Sequence, residues 1–381
     1  TTIALSSLGY TKPGLEFVGG EVRLQGEDVI SMQNDRLRGL RGQRVAYLAQ
    51  SAAATFNPAL TIGEQVTEST VLHGLMSQEE ANRRAEDLYR ALELPDPDRL
   101  GKRYPHQVSG GQLQRLMAAT ALCGKPDLLV LDEPTTALDV TVQKDIIALL
   151  KSLQKKSKMS VIFISHDLAL VSEIADRILV MYKGEIVESG DTRSIFKTPK
   201  EDYTKALIGA RPTLKFRLKQ LPTISDFLSG TISSTLISKS TRTQKHNEIY
   251  SKAPLLEVIN LEKTYFSKAS FFGTRTAFKA VDAVSFKVYS GETLGLVGES
   301  GCGKSTLGKA ILQLDKATAG TLKYKGNDIT NLNKKELRSL RKEIQIIFQD
   351  PYASLNPRLT VGKAIMEPMK VHKLFESNAE R

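Results

Sequence analysis

Gly298-Glu299-Ser300-Gly301-Cys302-Gly303-Lys304-Ser305-Thr306 fits the pattern Gly-x-x-x-x-Gly-Lys-[Ser/Thr], and its setting decides the fold. The apolar run Thr293-Leu294-Gly295-Leu296-Val297 precedes it and the helix-like Leu307-Gly308-Lys309-Ala310-Ile311-Leu312 follows, which predicts strand, loop and helix in succession. Glycines in such a loop let consecutive backbone N–H groups converge on phosphate oxygens, and the helix start adds the positive end of its dipole. Gly298, Ser300, Gly301, Cys302, Gly303 and Thr306 are the expected cradle. Lys304 is expected to reach the β- and γ-phosphates while the Ser305 hydroxyl helps hold Mg²⁺, so a nucleoside triphosphate is the expected ligand. The plainer alternative is a glycine-rich turn with a chance lysine.

Further signals lie upstream. Val108-Ser109-Gly110-Gly111-Gln112-Leu113-Gln114-Arg115 opens another helix, and Leu128-Leu129-Val130-Leu131 reads as a buried parallel strand delivering Asp132 and Glu133 at its C-terminal end. Pro134-Thr135-Thr136-Ala137-Leu138-Asp139 and Val161-Ile162-Phe163-Ile164-Ser165-His166-Asp167 follow in that order. Together these elements resemble the ATP-binding-cassette (ABC) ATPases, whose signature is Leu-Ser-Gly-Gly-Gln. The resemblance implies an α/β fold of the P-loop NTPase class. It would have a mostly parallel sheet, an antiparallel β part and a helical insertion from about Thr61 to Leu122, with Gln78 to Leu92 as one of its helices.

The same resemblance assigns roles. Asp132 would bind Mg²⁺ through water, and Glu133 would polarise the attacking water beside the γ-phosphate, one carboxylate pairing with the cation while the other serves as base. His166 would steady that phosphate. Ser109, Gly110, Gly111 and Gln112 would bring backbone donors to phosphate held by another cassette, a simple helix cap being the alternative. Gln349, and Gln50 as its counterpart, would reach Mg²⁺ and sense a transmembrane partner. Tyr265 would stack on adenine, with a core or hairpin tyrosine as the alternative. Cys302 matters there for its backbone N–H.

For one cassette the order is inverted, because in this family the phosphate loop precedes the signature. An internal repeat resolves it. Gly20-Glu21-Val22-Arg23-Leu24-Gln25-Gly26-Glu27-Asp28-Val29 matches Gly320-Thr321-Leu322-Lys323-Tyr324-Lys325-Gly326-Asn327-Asp328-Ile329. Gln50 and Asn57-Pro58-Ala59-Leu60-Thr61-Ile62-Gly63 match Gln349 and Asn356-Pro357-Arg358-Leu359-Thr360-Val361-Gly362, and His73 matches His372. Residues 1–211 therefore resemble a first cassette without its opening strands and phosphate loop, and residues 255–381 the start of a second. The chain reads as a window cut from a longer tandem-cassette protein, with a natural rearrangement as the alternative. The first copy is expected to have an open apolar slot beside Leu128–Leu131, and the 381 residues alone are expected to hydrolyse ATP poorly. Residues 212–254, rich in Ser, Thr and Lys, read as a flexible linker.

Asp350-Pro351-Tyr352-Ala353-Ser354-Leu355-Asn356-Pro357, Tyr104-Pro105-His106-Gln107 before the signature, and Asp202-Tyr203-Thr204-Lys205-Ala206-Leu207 look like the dipeptide/oligopeptide/nickel importer branch. That resemblance implies an ATPase peripheral to the cytoplasmic face of the plasma (inner) membrane. Its partners would be integral membrane permease subunits, a second cassette in cis and, indirectly, a solute-binding protein, with ATP and Mg²⁺ as cofactors. In the family each ATP is clamped between the phosphate loop of one cassette and the signature of another. No apolar run approaches the about 18 residues that span a bilayer, so a pore would have to come from other chains. The net charge of +11 comes from scattered Lys and Arg, which reads as dispersed solvated charge rather than a nucleic-acid face. Two cysteines cannot build a zinc cluster or a disulfide framework. Rival classes are a soluble tandem-cassette translation factor, expected to carry a long charged helical arm, and a non-catalytic fragment.

Overall fold

Leu128-Leu129-Val130-Leu131-Asp132 forms the middle of a three-stranded parallel sheet, between Val45–Leu48 and Ser160–Ile164. In chain order these are β3 (Val45–Leu48), β4 (Leu128–Asp132) and β5 (Ser160–Ile164), following a small hairpin of β1 (Arg23–Leu24) and β2 (Glu27–Asp28). The computed structural model describes all residues except 51–54, 136–139, 212–216, 232–234, 267–276, 300, 349–354, 378–379 and 381, and the side chains of 140 and 141. Two units emerge, Thr1–Leu236 and Ile237–Arg381.

A strand covered on both faces needs a continuous apolar run, and β4 has one. Its side chains alternate between two cores. Leu129 and Leu131 face a large cluster containing Ile62, Val66, Leu88, Leu116 and Leu150, whereas Val130 joins Ala4, Val29, Leu37 and Val45 on the other side. The first cluster is built by α2 (Ile62–Leu72), α3 (Gln78–Ala91), α4 (Gly110–Cys123) and α5 (Val140–Ser157), while α1 (Asn34–Gln43) supplies Leu37 and Leu40 to the second. The helical insertion is thus present, with α3 close to its expected bounds. Ser77 starts α3 in a capping box with Glu80, as Thr61 and Glu64 start α2. The antiparallel pair β6 (Arg177–Tyr182) and β7 (Glu185–Asp191) closes the unit with the short helix Thr192–Lys197.

The expected slot beside Leu128–Leu131 is not there. Both edges of β4 are paired, and the unpaired edges among the described residues are the outer sides of β3 and β5. The described residues of 212–254 hold more regular structure than a flexible linker would. Thr223 caps α6 (Ile224–Leu228), whose Phe227 ring lies against Gly209, and Ser238 caps α7 (Lys239–Tyr250). Ser and Thr lower interior helix propensity but start helices well, which a composition count misses.

In the second unit β8 (Leu256–Phe266), β9 (Ala277–Val288), β10 (Ala319–Tyr324) and β11 (Asn327–Asp328) form an antiparallel sheet in the order β11-β10-β8-β9. The helix α8 (Lys304–Ile311) packs Leu307 and Ala310 onto Val258, Leu261, Val281 and Leu322. Two short helices follow, α9 (Lys334–Leu340) and α10 (Val361–Val371).

The repeat is structural as well as textual. The β1–β2 turn places Gln25 at φ +51° and Gly26 at +89°, and the β10–β11 turn places Lys325 at +51° and Gly326 at +80°, the double left-handed geometry of a tight hairpin. Asn57 Oδ1 accepts from Ala59 N–H and Asn356 Oδ1 from Arg358 N–H, both at 3.0 Å. His73 and His372 each end the corresponding helix, α2 and α10. The expected strand over residues 293–297 does not form, and the apolar run 344–348 before Gln349 also lies outside any strand. Val297 is 90% exposed and Ile347 98%. A strand needs a neighbour for its N–H and C=O groups, and no described strand lies beside either run.

Candidate nucleotide-binding residues

Three successive strand ends bring the first group together. Gln50 follows β3, Asp132 and Glu133 end β4, and His166 follows β5. Open parallel sheets present ligand-binding residues at this C-terminal edge. Glu133 leaves the strand in the left-handed region, φ +51°, and its N–H donates to the Ile164 carbonyl at 2.9 Å. Gln50 Nε2 donates to Glu133 Oε2 at 3.0 Å, and His166 Nδ1 lies 3.2 Å from Oε1. The Glu133 side chain is 26% exposed and that of His166 75%, so this carboxylate is held from two sides yet open to solvent.

Asp132 differs: it is 2% exposed. Tyr47, on β3, donates its hydroxyl to Asp132 Oδ2 at 3.0 Å. A buried carboxylate oriented by one neutral donor presents the hard oxygen ligands that Mg²⁺ takes. Burial first, and the Asp132 carboxylate second, push the Tyr47 phenol up to about 12, so it stays a protonated donor near neutrality.

At the signature, Ser109 caps α4: its side chain accepts from Gln112 N–H, and Gln112 Oε1 accepts from Ser109 N–H at 3.0 Å. The cap reading thus holds as geometry, while Gly110 stays exposed, with no atom within 4 Å of where a Cβ would stand. Gly111 and Gln112 are half-buried in the same first turn. Gln114 ties this helix to the carboxylate turn, donating Nε2 to the Pro134 carbonyl at 2.8 Å from a buried position. Sequence reasoning gave Gln114 no role of its own. Its signal was a glutamine inside an apolar stripe with Leu113, Leu116 and Met117. Tyr47 was likewise assigned nothing.

The second group belongs to the other unit. Gly303 caps α8 at φ +99°, and a Cβ there would stand 2.2 Å from the Ala280 carbonyl oxygen, so only glycine fits. Gly301, Cys302, Gly303, Ser305 and Thr306 cluster around the helix start, with Ser305 exposed. Lys304 Nζ folds back onto the loop, donating to the carbonyls of Gly298 at 2.6 Å and Glu299 at 2.7 Å, with Cys302 Sγ at 3.4 Å. An ammonium satisfied by its own loop carbonyls is charge that a stronger acceptor can recruit. The Tyr265 hydroxyl donates to Asp315 Oδ2 at 2.6 Å, while Lys263 pairs with Asp315 and stands 5.1 Å from the Tyr265 ring centroid. The hydrogen bonds from Lys263 and Tyr265 hold the Asp315 carboxyl below its ordinary range. Tyr265 is therefore an anchored, partly exposed ring on β8. Ser300, Gln349 and Thr136 to Asp139 lie outside the described residues.

Known proteins resemble this chain over most of its length. A family model described as ABC transporter matches residues 1–136 and 281–380. The glutathione import ATP-binding protein GsiA of Shigella dysenteriae serotype 1 (strain Sd197) is 43% identical over 372 residues, covering 95% of this chain and 59% of its own length. Its namesake in Escherichia coli (strain K12) is 44% identical over 348 residues, 91% of this chain and 55% of its own. The chain thus spans little more than half the length of these relatives. Among solved structures, a dimeric bacterial ABC transporter cassette aligns over 50% of this chain and 80% of its own, at 29% identity and a TM-score of 0.45. The matched family, covering both the carboxylate strand and the phosphate loop, establishes that the chain belongs to the ABC transporter family.

Proposed function

We propose that this chain is part of the ATP-hydrolysing subunit of an ABC importer for short peptides, acting on permease subunits in the membrane. The observation that carries the reading is Glu133, a solvent-accessible carboxylate held at 3.0 Å by Gln50 and at 3.2 Å by His166 beside the buried Asp132. Such an arrangement suits a base for an attacking water: it is oriented by two partners and has its second carboxylate neighbour turned inward. His166 is placed to orient the same water or phosphate. Gly298, Ser300, Gly301, Cys302, Gly303, Lys304 and Thr306 would hold phosphate, Tyr265 the base, and Ser109, Gly110, Gly111 and Gln112 the phosphate of a partner cassette. Mg²⁺ would be held by Asp132 in the first copy and by Ser305 and Gln349 in the second. When bound it neutralises charge on the β- and γ-phosphates.

The importer part rests on likeness. Relatives at 43–44% identity are named for glutathione import, and glutathione is a tripeptide, which favours the peptide side of the branch over nickel. No helix among the described residues is long and apolar enough to cross a membrane, so a peripheral position on the cytoplasmic face, next to separate permease chains, is the proposed location. A second cassette in cis and an indirect solute-binding protein complete the proposed assembly.

The test is steady-state ATP turnover by the full-length protein with its permease. Glu133→Gln is expected to lower kcat by roughly 10²–10⁴-fold, the usual worth of a general base, with ATP affinity retained. Turnover that survives the substitution would sink the assignment.

A further inference from the structure

Tyr47 has no part in the roles above, yet its hydroxyl hydrogen-bonds the Asp132 carboxylate directly at 3.0 Å. We infer that Tyr47 is a positioning residue for the metal ligand of the first copy, fixing the rotation of the Asp132 carboxylate so that Oδ1 alone faces the cation. The inference rests on the ATPase reading and adds to it a residue that sets metal affinity.

Three observations support it. First, the terminal torsion of an aspartate is broad and two-fold, so a buried carboxylate is aimed by its hydrogen bonds and not by its own rotamer preference. The 3.0 Å bond from Tyr47 engages Oδ2 and leaves Oδ1 outside that bond, available to a cation. Second, the donor comes from rigid structure. β3 and β4 are in parallel register, with Tyr47 opposite Val130 and Leu48 opposite Leu131, so the phenol reaches forward along the sheet to the strand end. Third, the repeat supplies an internal comparison. Gln50 corresponds to Gln349, and counting back three residues from each puts Tyr47 opposite Ile346, which has no donor. The backbone pattern therefore does not demand a tyrosine there, and the two copies should differ in how firmly they hold their cation.

Partners that orient a metal ligand are typically worth about 10–100-fold in metal affinity. The experiment measures binding of the non-hydrolysable analogue AMP-PNP to the full-length protein, once with EDTA and once with Mn²⁺. At the first copy's site, Tyr47→Phe is expected to cut the Mn²⁺-dependent gain in AMP-PNP affinity about 10-fold while the EDTA affinity stays unchanged. Tyr47→Ile, which installs the residue the second copy already carries, should do the same. An unchanged Mn²⁺-dependent gain in both variants overturns the inference and leaves the ATPase reading intact. A loss of affinity equal with EDTA and with Mn²⁺ overturns it too, because Tyr47 would then only support the sheet. If the unsubstituted protein fails to bind AMP-PNP at all, the reading falls and the inference with it.

Discussion

Glu133 illustrates how much is decided by single residues here. Its left-handed backbone, φ +51°, costs an L residue about 1–2 kcal/mol, and it turns the carboxylate out of the sheet toward Gln50 and His166 while its neighbour Asp132 stays buried. Strain of this kind persists where the surroundings over-determine it, and the N–H bond to Ile164 supplies part of that. Tyr89 shows the opposite economy. It is fully buried, and its hydroxyl finds no hydrogen-bond partner among the described residues. Burial raises its phenol well above the ordinary value of 10.0, with Cys123 and Glu86 adding to the shift. A group whose folded value is raised contributes stability that is complete below the unfolded value and is lost as pH climbs above it. The thermal stability of the first unit should therefore fall as pH rises above 10.0. Tyr89→Phe removes a donor whose burial costs about 1–3 kcal/mol, so its melting temperature should equal or exceed the parent's, with a shallower alkaline loss. A clear fall in melting temperature at neutral pH would show that the hydroxyl has a partner after all.

Among the elements, α3 and α4 carry the same device for different ends. Ser77 and Ser109 both begin capping boxes, with Glu80 and Gln112 as the reciprocal partners. Alanine at either cap should cost about 1 kcal/mol, read as a small drop in unfolding midpoint. Only Ser109→Ala should also lower ATP turnover, since Ser109 heads the signature turn; equal turnover in the two variants would reduce the signature to a cap. β3 and its repeat counterpart make a second pair. Val45-Ala46-Tyr47-Leu48 becomes a strand because β4 stands beside it, whereas Ile344-Gln345-Ile346-Ile347-Phe348, with stronger strand formers, stays unpaired. Strand propensity describes fitness for a sheet surface and does not supply the sheet.

For the whole molecule, the apolar surface is uneven. The second unit exposes Val297, Ile347, Val361 and Ile365, positions whose repeat counterparts, where they exist, pack inside the first unit: Ile62 and Val66 are fully buried at the places of Val361 and Ile365. Exposed apolar runs with open backbone groups associate. The chain should scatter light at micromolar concentration, and Val297→Lys with Ile347→Lys should reduce this without moving the melting temperature of the first unit. Undiminished scattering would place the sticky surface elsewhere. What could be read from residue order alone was everything carried by local pattern: the phosphate loop before a helix, the capped signature helix, the apolar β4 ending in two carboxylates, and a repeat precise enough to align Gln50 with Gln349. These are short-range signals, set by periodicity, glycine geometry and capping chemistry. What needed the tertiary structure was everything that depends on a neighbour distant in sequence. The partners of β4 on both sides, the grip of Gln50 and His166 on Glu133, the bond from Tyr47 to Asp132, and the failure of 293–297 and 344–348 to become strands all follow from which segments lie side by side. Pairing energy belongs to two segments at once, and no single stretch of sequence contains it.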